Sequence, residues 1–232
     1  MRSHYLALSA LLVLAPALAA QAHDFAPYLI ADRAEEVALA RSAAPATISG
    51  AATIYVMTDT GYAEAAKGSN GFTCLVIRSF LMPGADSATT WEPRLRAPHC
   101  YNATAARTIV PNVLYRAHAV FRGVSPARVE AGVRSAYASH RWPLTGAGAI
   151  AYMLSPGQWL GPNDPHWKPH MMFFLPAGHP ASTWGADKST DAPVIDAGSY
   201  PFASPGGFIL IPVERWSDGT PFVAAVTDAH QH

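Results

Sequence analysis

Charge is scarce in this sequence, and no stretch of it is basic. Asp, Glu, Lys and Arg make up 14% of the residues, and the 16 basic side chains are balanced by 16 acidic ones. A protein that binds nucleic acid usually carries a clustered positive patch. Beyond residue 22 the chain also lacks an apolar run of the roughly 20 residues that a membrane span needs. The sequence therefore argues against a nucleic-acid partner and against a membrane span in that part of the chain.

The common catalytic motifs are missing too. The sequence contains no G-x-S-x-G elbow and no S-x-x-K, H-E-x-x-H, P-loop or G-x-G-x-x-G pattern. These patterns mark many serine hydrolases, zinc proteases and nucleotide-binding enzymes. Catalytic triads scattered along a chain leave no such pattern, so the absence lowers the expectation of these activities and leaves an enzyme open.

Cysteine is rare, with only Cys74 and Cys100 in the whole chain. In an oxidising compartment an even pair is most simply a disulfide, and we predict one between these two residues. On the chain-entropy model a closed loop of this length stabilises the fold by roughly 3.5 kcal/mol. The alternative is a cysteine nucleophile paired with His99, which export into an oxidising compartment disfavours.

The first residues have the layout of a secretory signal. A positive charge at Arg2 precedes an apolar run over residues 6–18, and Ala20-Gln21-Ala22 supplies the small residues that a signal peptidase recognises. The apolar run is too short to span a bilayer. We therefore predict a signal peptide over residues 1–22, a periplasmic or secreted protein, and a single domain over residues 23–232.

The pattern of apolar residues predicts an α+β domain. Asp32 and Glu35 have the spacing of a capping box, which predicts an N-terminal helix that ends near Ser42. Asn102 is the expected N-cap of a short helix that bends at Pro111. An inserted helical hairpin is predicted over residues 111–122 and 125–139, since Ser125-Pro126 is a typical helix start. Apolar segments bounded by turn residues predict a mostly antiparallel sheet of about five or six strands. The predicted strands are residues 53–58, 62–66, 72–80, 149–155, 170–175 and 208–213.

One loop carries most of the reactive side chains. Asp164, His166, Trp167, Lys168 and His170 lie within seven consecutive positions and lead directly into a predicted buried strand. A loop fixed at the end of a rigid strand is a favourable place for a binding site. Imidazole and carboxylate groups are ligands of divalent transition metals such as zinc, copper or iron.

The spacing of the two loop histidines is less favourable for a metal. Prolines 165 and 169 disfavour a helix, and in an extended chain four residues span roughly 13 Å. A turn at Trp167 would bring the rings together, or one ring would pair with Asp164 or with His99 from another segment. We therefore name His166, His170, Asp164 and His99 as candidate metal ligands, and Trp167 and Lys168 as candidate ligand-binding residues. The alternative is a polar loop whose histidines hydrogen-bond to the backbone.

Four stretches of the chain stand out together: EVALARSAAP at residues 36–45, GSNGFTC at 68–74, HWKPHMMFF at 166–174 and WSDGT at 216–220. They resemble a group of exported bacterial hypothetical proteins to which no activity is assigned. The resemblance covers about residues 30–220. It implies a single domain in a periplasmic or secreted setting, and it transfers no site residue.

Two functions of different classes remain. The first is an exported, non-catalytic domain that binds a small molecule or another envelope protein. The second is a metal-dependent enzyme or a metal-binding protein that uses the His/Asp loop, where a bound metal would act as Lewis acid or generate hydroxide. The two hypotheses differ in geometry, because a metal site needs three of the named groups around one point.

Overall fold

The computed structural model of the chain describes residues 24–81, 91–162, 166–179, 181–186, 194–196 and 207–223. The predicted signal peptide lies outside these residues. Within this described part, no helix combines the length and apolar character of a segment that crosses a bilayer.

Five α-helices are present among the described residues, together with three short 3₁₀ helices at Ala26–Tyr28, Ser79–Leu81 and Ala181–Trp184. The α-helices are α1 (Arg33–Arg41), α2 (Ala46–Ser49), α3 (Ala103–Thr108), α4 (Val110–Phe121) and α5 (Pro126–Ala138). The strands of the described part are β1 (Thr53–Thr58), β2 (Gly61–Ala66), β3 (Thr73–Ile77), β4 (Ala97–Tyr101), β5 (Ile150–Met153), β6 (His170–Phe174), β7 (Val194–Asp196) and β8 (Gly207–Pro212).

The strands form one sheet in the order β2-β1-β3-β4-β5-β6-β8-β7. β1 and β3 pair in parallel, and the other neighbouring strands pair antiparallel. This arrangement confirms the predicted α+β class, the mostly antiparallel sheet, the N-terminal helix and the inserted helical hairpin formed by α4 and α5. The sheet is larger than predicted, because β4 and β7 lie in segments that the sequence pattern assigned to loops.

The predicted helix ends are set by local hydrogen bonds. The side chain of Asp32 accepts from the amide of Ala34 at the start of α1, and that of Asn102 accepts from the amide of Ala105 at the start of α3. Each bond satisfies an amide that has no partner within its own helix. Gly123, two residues after the last residue of α4, has a φ of +70°, the left-handed conformation that a C-terminal glycine cap requires.

Different helices cover the two faces of the sheet. On one face, Ala40 of α1 packs in a core with Val76 and Cys100. On the other face, Val113 of α4 packs in a larger core that includes Tyr101. Successive residues of a strand point to opposite faces, so β4 contributes to both cores. We call the two sides the α1 face and the α4 face.

The disulfide predicted from the sequence is present on the α1 face. Cys74 and Cys100 are direct cross-strand partners in β3 and β4, with α-carbons 4.0 Å apart, and both are fully buried. The bond therefore ties together two central strands of the sheet.

A buried ion pair lies between α1 and the end of β3. Nη2 of Arg78 donates to Oε1 of Glu36 at 2.8 Å, and the two side chains are 0% and 1% exposed. The same carboxylate oxygen accepts from the amide of Met57 at 2.9 Å. Arg78 also donates to the carbonyls of Tyr28 and Val76. Each charge is thus paired and hydrogen-bonded, as a buried charge requires.

Candidate functional site

The structure separates the residues that the sequence grouped on one loop. His166 is exposed, and Lys168 is exposed. His170 is only 3% exposed, because it is the first residue of β6. Asp164 lies outside the described residues. Among the residues that the structure describes, no group of three or more His, Cys, Asp or Glu side chains is placed to hold a metal ion. The four-residue metal site therefore stays a prediction.

Two of the four candidate ligands share one row across the sheet. His99 in β4 is 1% exposed and pairs with Leu75 in β3. Extending the β4–β5 register by one pair places Met153 opposite His99, and Met153 is the cross-strand partner of His170. Cross-strand partners share a face of the sheet. The row on the α4 face therefore consists of His99, Met153 and His170, with one residue from each of three neighbouring strands.

Both buried imidazoles are held in the same way. Nδ1 of each ring lies 2.9 Å from the carbonyl oxygen two residues earlier, on Ala97 for His99 and on Lys168 for His170. A carbonyl only accepts hydrogen bonds, so Nδ1 carries the proton and Nε2 carries the lone pair in each neutral ring. A hydrogen bond from one ring nitrogen to a carbonyl also fixes the ring's orientation.

Burial keeps both rings uncharged at neutral pH. It lowers the pKa of His99 to about 4, opposed by the hydrogen bond that the ring donates to the carbonyl of Ala97, and a proton on His170 would lower it further. Burial likewise lowers the pKa of His170 to about 4, opposed by the bond to the Lys168 carbonyl. The two rings are thus close enough to influence each other electrostatically. At pH 7 both are neutral, and each donates its Nδ1–H to a backbone carbonyl.

Aromatic and amide groups surround the row. The ring of Tyr101 stacks on His99 with centroids 5.6 Å apart, and the indole of Trp167 meets His170 edge-on at 4.5 Å. Gln158 is fully buried, and its Nε2 donates to the carbonyl of Trp167. Within the described residues, the hydroxyl of Tyr101 and Oε1 of Gln158 have no hydrogen-bond partner. Trp167 therefore packs against His170 at one end of the buried row.

A second candidate site lies on the α1 face. An open cleft of about 740 Å³ separates α1 from the segments before β4 and after β5. Its apolar lining comes from Leu29, Ile30, Ala38 and Leu39. Arg96, directly before β4, contributes the positive charge of the cleft.

Arg96 is half-buried and partly engaged. Its Nη1 donates to the carbonyls of Pro93 and Leu95, the latter at 2.9 Å. Burial lowers the pKa of Arg96 to about 10, and the nearby charge of Arg78 lowers it further, whereas Glu36 opposes the shift. The side chain is therefore cationic at neutral pH. No hydrogen bond from the described residues engages its Nε or Nη2.

Comparisons with protein-family models, curated proteins and solved structures find no match. A function for this chain is therefore inferred from the chemistry of these two sites.

The sequence reasoning missed both Met153 and Arg96. Met153 belongs to a predicted strand, but only the register between β4, β5 and β6 shows that it separates two histidines. Arg96 lies in the segment assigned to a proline-broken loop. The alternation of β4 was a usable signal for the α4 face, since His99 and Tyr101 are two residues apart.

Proposed function

We propose that this chain is an exported, non-catalytic binding protein for a small organic carboxylate with an apolar body. One observation carries the proposal: the half-buried guanidinium of Arg96 lies in the lining of an open cleft whose other walls are mainly apolar. Its volume of about 740 Å³ falls within the usual range of small-ligand sites. This proposal takes the first of the two functions expected from the sequence and gives it a location.

Arg96 supplies the polar part of the recognition. A guanidinium offers its donors in a planar fork that matches the two oxygens of a carboxylate. Nη1 of Arg96 is occupied by backbone carbonyls, so Nε and Nη2 form the edge that a ligand would meet. Partial burial lowers the effective dielectric constant around the pair and so strengthens its attraction.

The charges near Arg96 favour a single negative charge on the ligand. Arg78 and Glu36 compensate each other in the interior, whereas no described carboxylate forms an ion pair with Arg96, although Glu36 and Glu35 both act on its charge from a distance. Glu35 is exposed and also lines the cleft. Its carboxylate would repel a second negative group at the cleft mouth, so a monocarboxylate fits better than a dianion or a phosphate.

The apolar lining supplies the remaining affinity. Leu29, Ile30, Ala38 and Leu39 present aliphatic surface in the same cleft. Each methylene that a ligand buries there contributes about 0.8 kcal/mol. A chain of four methylenes therefore gains about 3 kcal/mol, which is more than a hundredfold in affinity.

The setting of the proposal is the cell envelope. The Cys74–Cys100 disulfide fits an oxidising compartment. Sequencing the N-terminus of protein recovered from the producing cell tests this part directly. A mature chain that begins within a few residues of residue 23 supports export, and a chain that retains residue 1 contradicts it.

Calorimetry with matched probes tests the cleft. Hexanoate, hexanol and hexylamine share one apolar chain and differ in the polar end. We expect binding of hexanoate and at least tenfold weaker binding of the other two. Arg96→Gln should reduce hexanoate affinity at least tenfold, whereas Arg94→Gln, which alters an exposed arginine paired with Glu92, should leave it within twofold. Equal binding of the three probes, or no binding of hexanoate, contradicts the proposal.

A second variant keeps the test valid if Arg96→Gln disturbs the fold. Ala38 is exposed on α1 and lines the cleft, so a larger side chain fits there without entering the core. Ala38→Phe should occupy the apolar wall and abolish hexanoate binding with little change in stability. Unchanged binding in this variant refutes the cleft as the site.

A further inference from the structure

The helical layer on the α4 face carries a surplus of positive charge. Residues 103–142 contain six arginines and a single glutamate, with neither lysine nor aspartate. Because the whole chain has 16 basic and 16 acidic side chains, acidic residues outnumber basic ones in the remainder. The charges of this protein are therefore unevenly distributed, although they balance over the chain as a whole.

This surplus does not appear as a basic run in the sequence. Consecutive arginines of the segment stand at least six positions apart, so the sequence pattern did not predict a cationic surface. The structure brings them together because α4 packs against both α3 and α5, and the three helices form one layer.

Five of the six arginines are exposed and lack a counter-ion. Arg116 is buried and binds Glu130 through two hydrogen bonds of 2.6 and 3.0 Å, so these two charges compensate each other. None of the other five forms an ion pair with a carboxylate of the described residues. We call these five exposed residues the arginine patch: Arg107, Arg122, Arg128, Arg134 and Arg141.

α5 presents the middle of the patch. The buried side of this helix is formed by Val129, Val133, Ala136 and Tyr137. Its opposite side is formed by four small, exposed residues, Ala127, Ala131, Ser135 and Ala138. Arg128 and Arg134 lie on either side of these small residues, about 120° apart around the helix axis. With so little bulk between them, both guanidinium groups can reach the same flat surface.

The other three arginines lie at the two ends of α5. Arg122 directly follows α4 and precedes the turn into α5, and Arg141 comes shortly after the end of α5. Arg107 lies near that second end, because the hydroxyl of Tyr137 donates to the carbonyl of its neighbour Thr108 at 2.9 Å. A helix of 13 residues is about 20 Å long, so the patch spans about that distance.

Apolar side chains adjoin the patch at Arg141. Leu144 is 42% exposed. Trp142 is half-buried and meets the rings of Tyr115 and Tyr137 edge-on, and the guanidinium of Arg141 lies 5.6 Å from the centroid of its indole. Tryptophan and leucine beside basic residues are typical of surfaces that rest on a bilayer. The phosphates of a nucleic acid offer nothing to Leu144, whereas a bilayer can bury it.

We infer that the arginine patch and Leu144 bind this protein to the surface of a bilayer that contains anionic phospholipids. A guanidinium can donate two parallel hydrogen bonds to a phosphate, and each basic residue near an anionic bilayer raises affinity about fivefold. The patch lies on the α4 face and the Arg96 cleft on the α1 face, so a bound molecule keeps its cleft open to solvent. The inference does not depend on the proposed carboxylate site.

Vesicle sedimentation tests the inference. Protein as recovered from the producing cell is mixed with vesicles of phosphatidylcholine, either alone or with about one third phosphatidylglycerol. We expect at least tenfold tighter binding to the anionic vesicles at about 0.1 M salt, and loss of this preference at about 1 M salt, where charges are screened within about 3 Å. The double variant Arg128→Gln with Arg134→Gln should weaken binding to the anionic vesicles about 25-fold.

The matched control removes two positive charges elsewhere. Arg33 and Lys67 are exposed and lie outside the patch, so Arg33→Gln with Lys67→Gln should change affinity by less than about twofold. Leu144→Ser should weaken binding severalfold without lowering the urea midpoint, because Leu144 is exposed. The parent and every variant carry the same N-terminus, so the apolar run over residues 6–18, if retained, contributes equally to all of them.

Equal affinity for neutral and anionic vesicles overturns the inference. So does an equal loss of affinity in the patch variant and the matched control, or a Leu144→Ser variant that binds as tightly as the parent. Tighter binding to a DNA duplex than to the anionic vesicles, at equal phosphate concentration, also overturns it and assigns the patch to nucleic acid. None of these results bears on the hexanoate experiment.

Discussion

Replacing Glu36 with glutamine should destabilise the protein by about 3 kcal/mol, because it leaves a buried cation without its counter-ion. The carboxylate accepts from Nη2 of Arg78 at 2.8 Å and from the amide of Met57 at 2.9 Å, in a site that is closed to solvent. Breaking one partner of such a pair usually costs about 3–5 kcal/mol. Glutamine retains an oxygen for the amide of Met57, which places the expected value at the lower end.

Two neighbouring side chains, Arg78 and Arg96, bear on the size of this loss of stability. Arg78 keeps its bonds to the carbonyls of Tyr28 and Val76, so its hydrogen-bonding capacity is not lost. Arg96 lies close enough for the two positive charges to repel each other, and Glu36 offsets that repulsion. The variant therefore loses mainly charge compensation. Against a total stability of about 5–15 kcal/mol, this loss is large.

Urea unfolding measures the effect as a shift of the midpoint at constant slope. Glu35→Gln is the matched control, since Glu35 is the exposed neighbour on the same helix, and it should change stability by less than about 0.5 kcal/mol. The double variant Glu36→Leu with Arg78→Met should be less destabilised than either single change, because both charges are removed together. A Glu36→Gln variant within 1 kcal/mol of the parent, or strictly additive single changes, refutes the reasoning.

Three further predictions concern stability measured in the same way. Tyr101→Phe should stabilise the fold by about 1 kcal/mol, since it removes a buried hydroxyl with no partner among the described residues. Tyr62→Phe should instead destabilise it by about 1 kcal/mol, because the hydroxyl of Tyr62 donates to the carbonyl of Val76. A Tyr101→Phe variant less stable than the Tyr62→Phe variant contradicts this prediction. Gly68→Ala should cost at least about 2 kcal/mol, because its Cβ would lie 2.2 Å from a backbone nitrogen, and Gly146→Ala, which meets no atom within 4 Å, should be neutral. Glu130→Gln should cost at most about 1 kcal/mol. The pKa of Glu130 is lowered by its hydrogen bonds to a buried guanidinium, so its contribution is complete above pH 4.5 and is lost as the pH falls through the folded-state value. Stability profiles of parent and variant that stay parallel down to low pH would contradict this assignment.

Local sequence signals predicted the elements whose causes are local. The first strand was predicted at residues 53–58, where the structure has it, and the Asp32 and Asn102 caps form the expected bonds. Pro126 begins α5 as expected, although the side chain of Ser125 makes no capping bond. These features depend on a few neighbouring residues, and a single sequence contains that information.

The elements that were missed depend on distant contacts. β4 contains Pro98, which lacks an amide hydrogen and makes a central strand look improbable. The segment is nevertheless held between β3 and β5 by pairing partners at least 20 positions away. Without knowledge of that pairing, the sequence alone could not predict the row of His99 and His170 or the cleft at Arg96. The sequence therefore singled out His99 and His170 individually, and only the register showed that they share a row.

The covalent bond between Cys74 and Cys100 has a geometric consequence for both candidate sites. A shift of β4 by one position would turn every side chain of that strand to the other side of the sheet. His99 would then leave its row, and Arg96 would leave the cleft. The sulfur bridge forbids this sliding, because it fastens one position of β4 to one position of β3. A single cross-link thus holds two chemically different surfaces in their correct orientation at once.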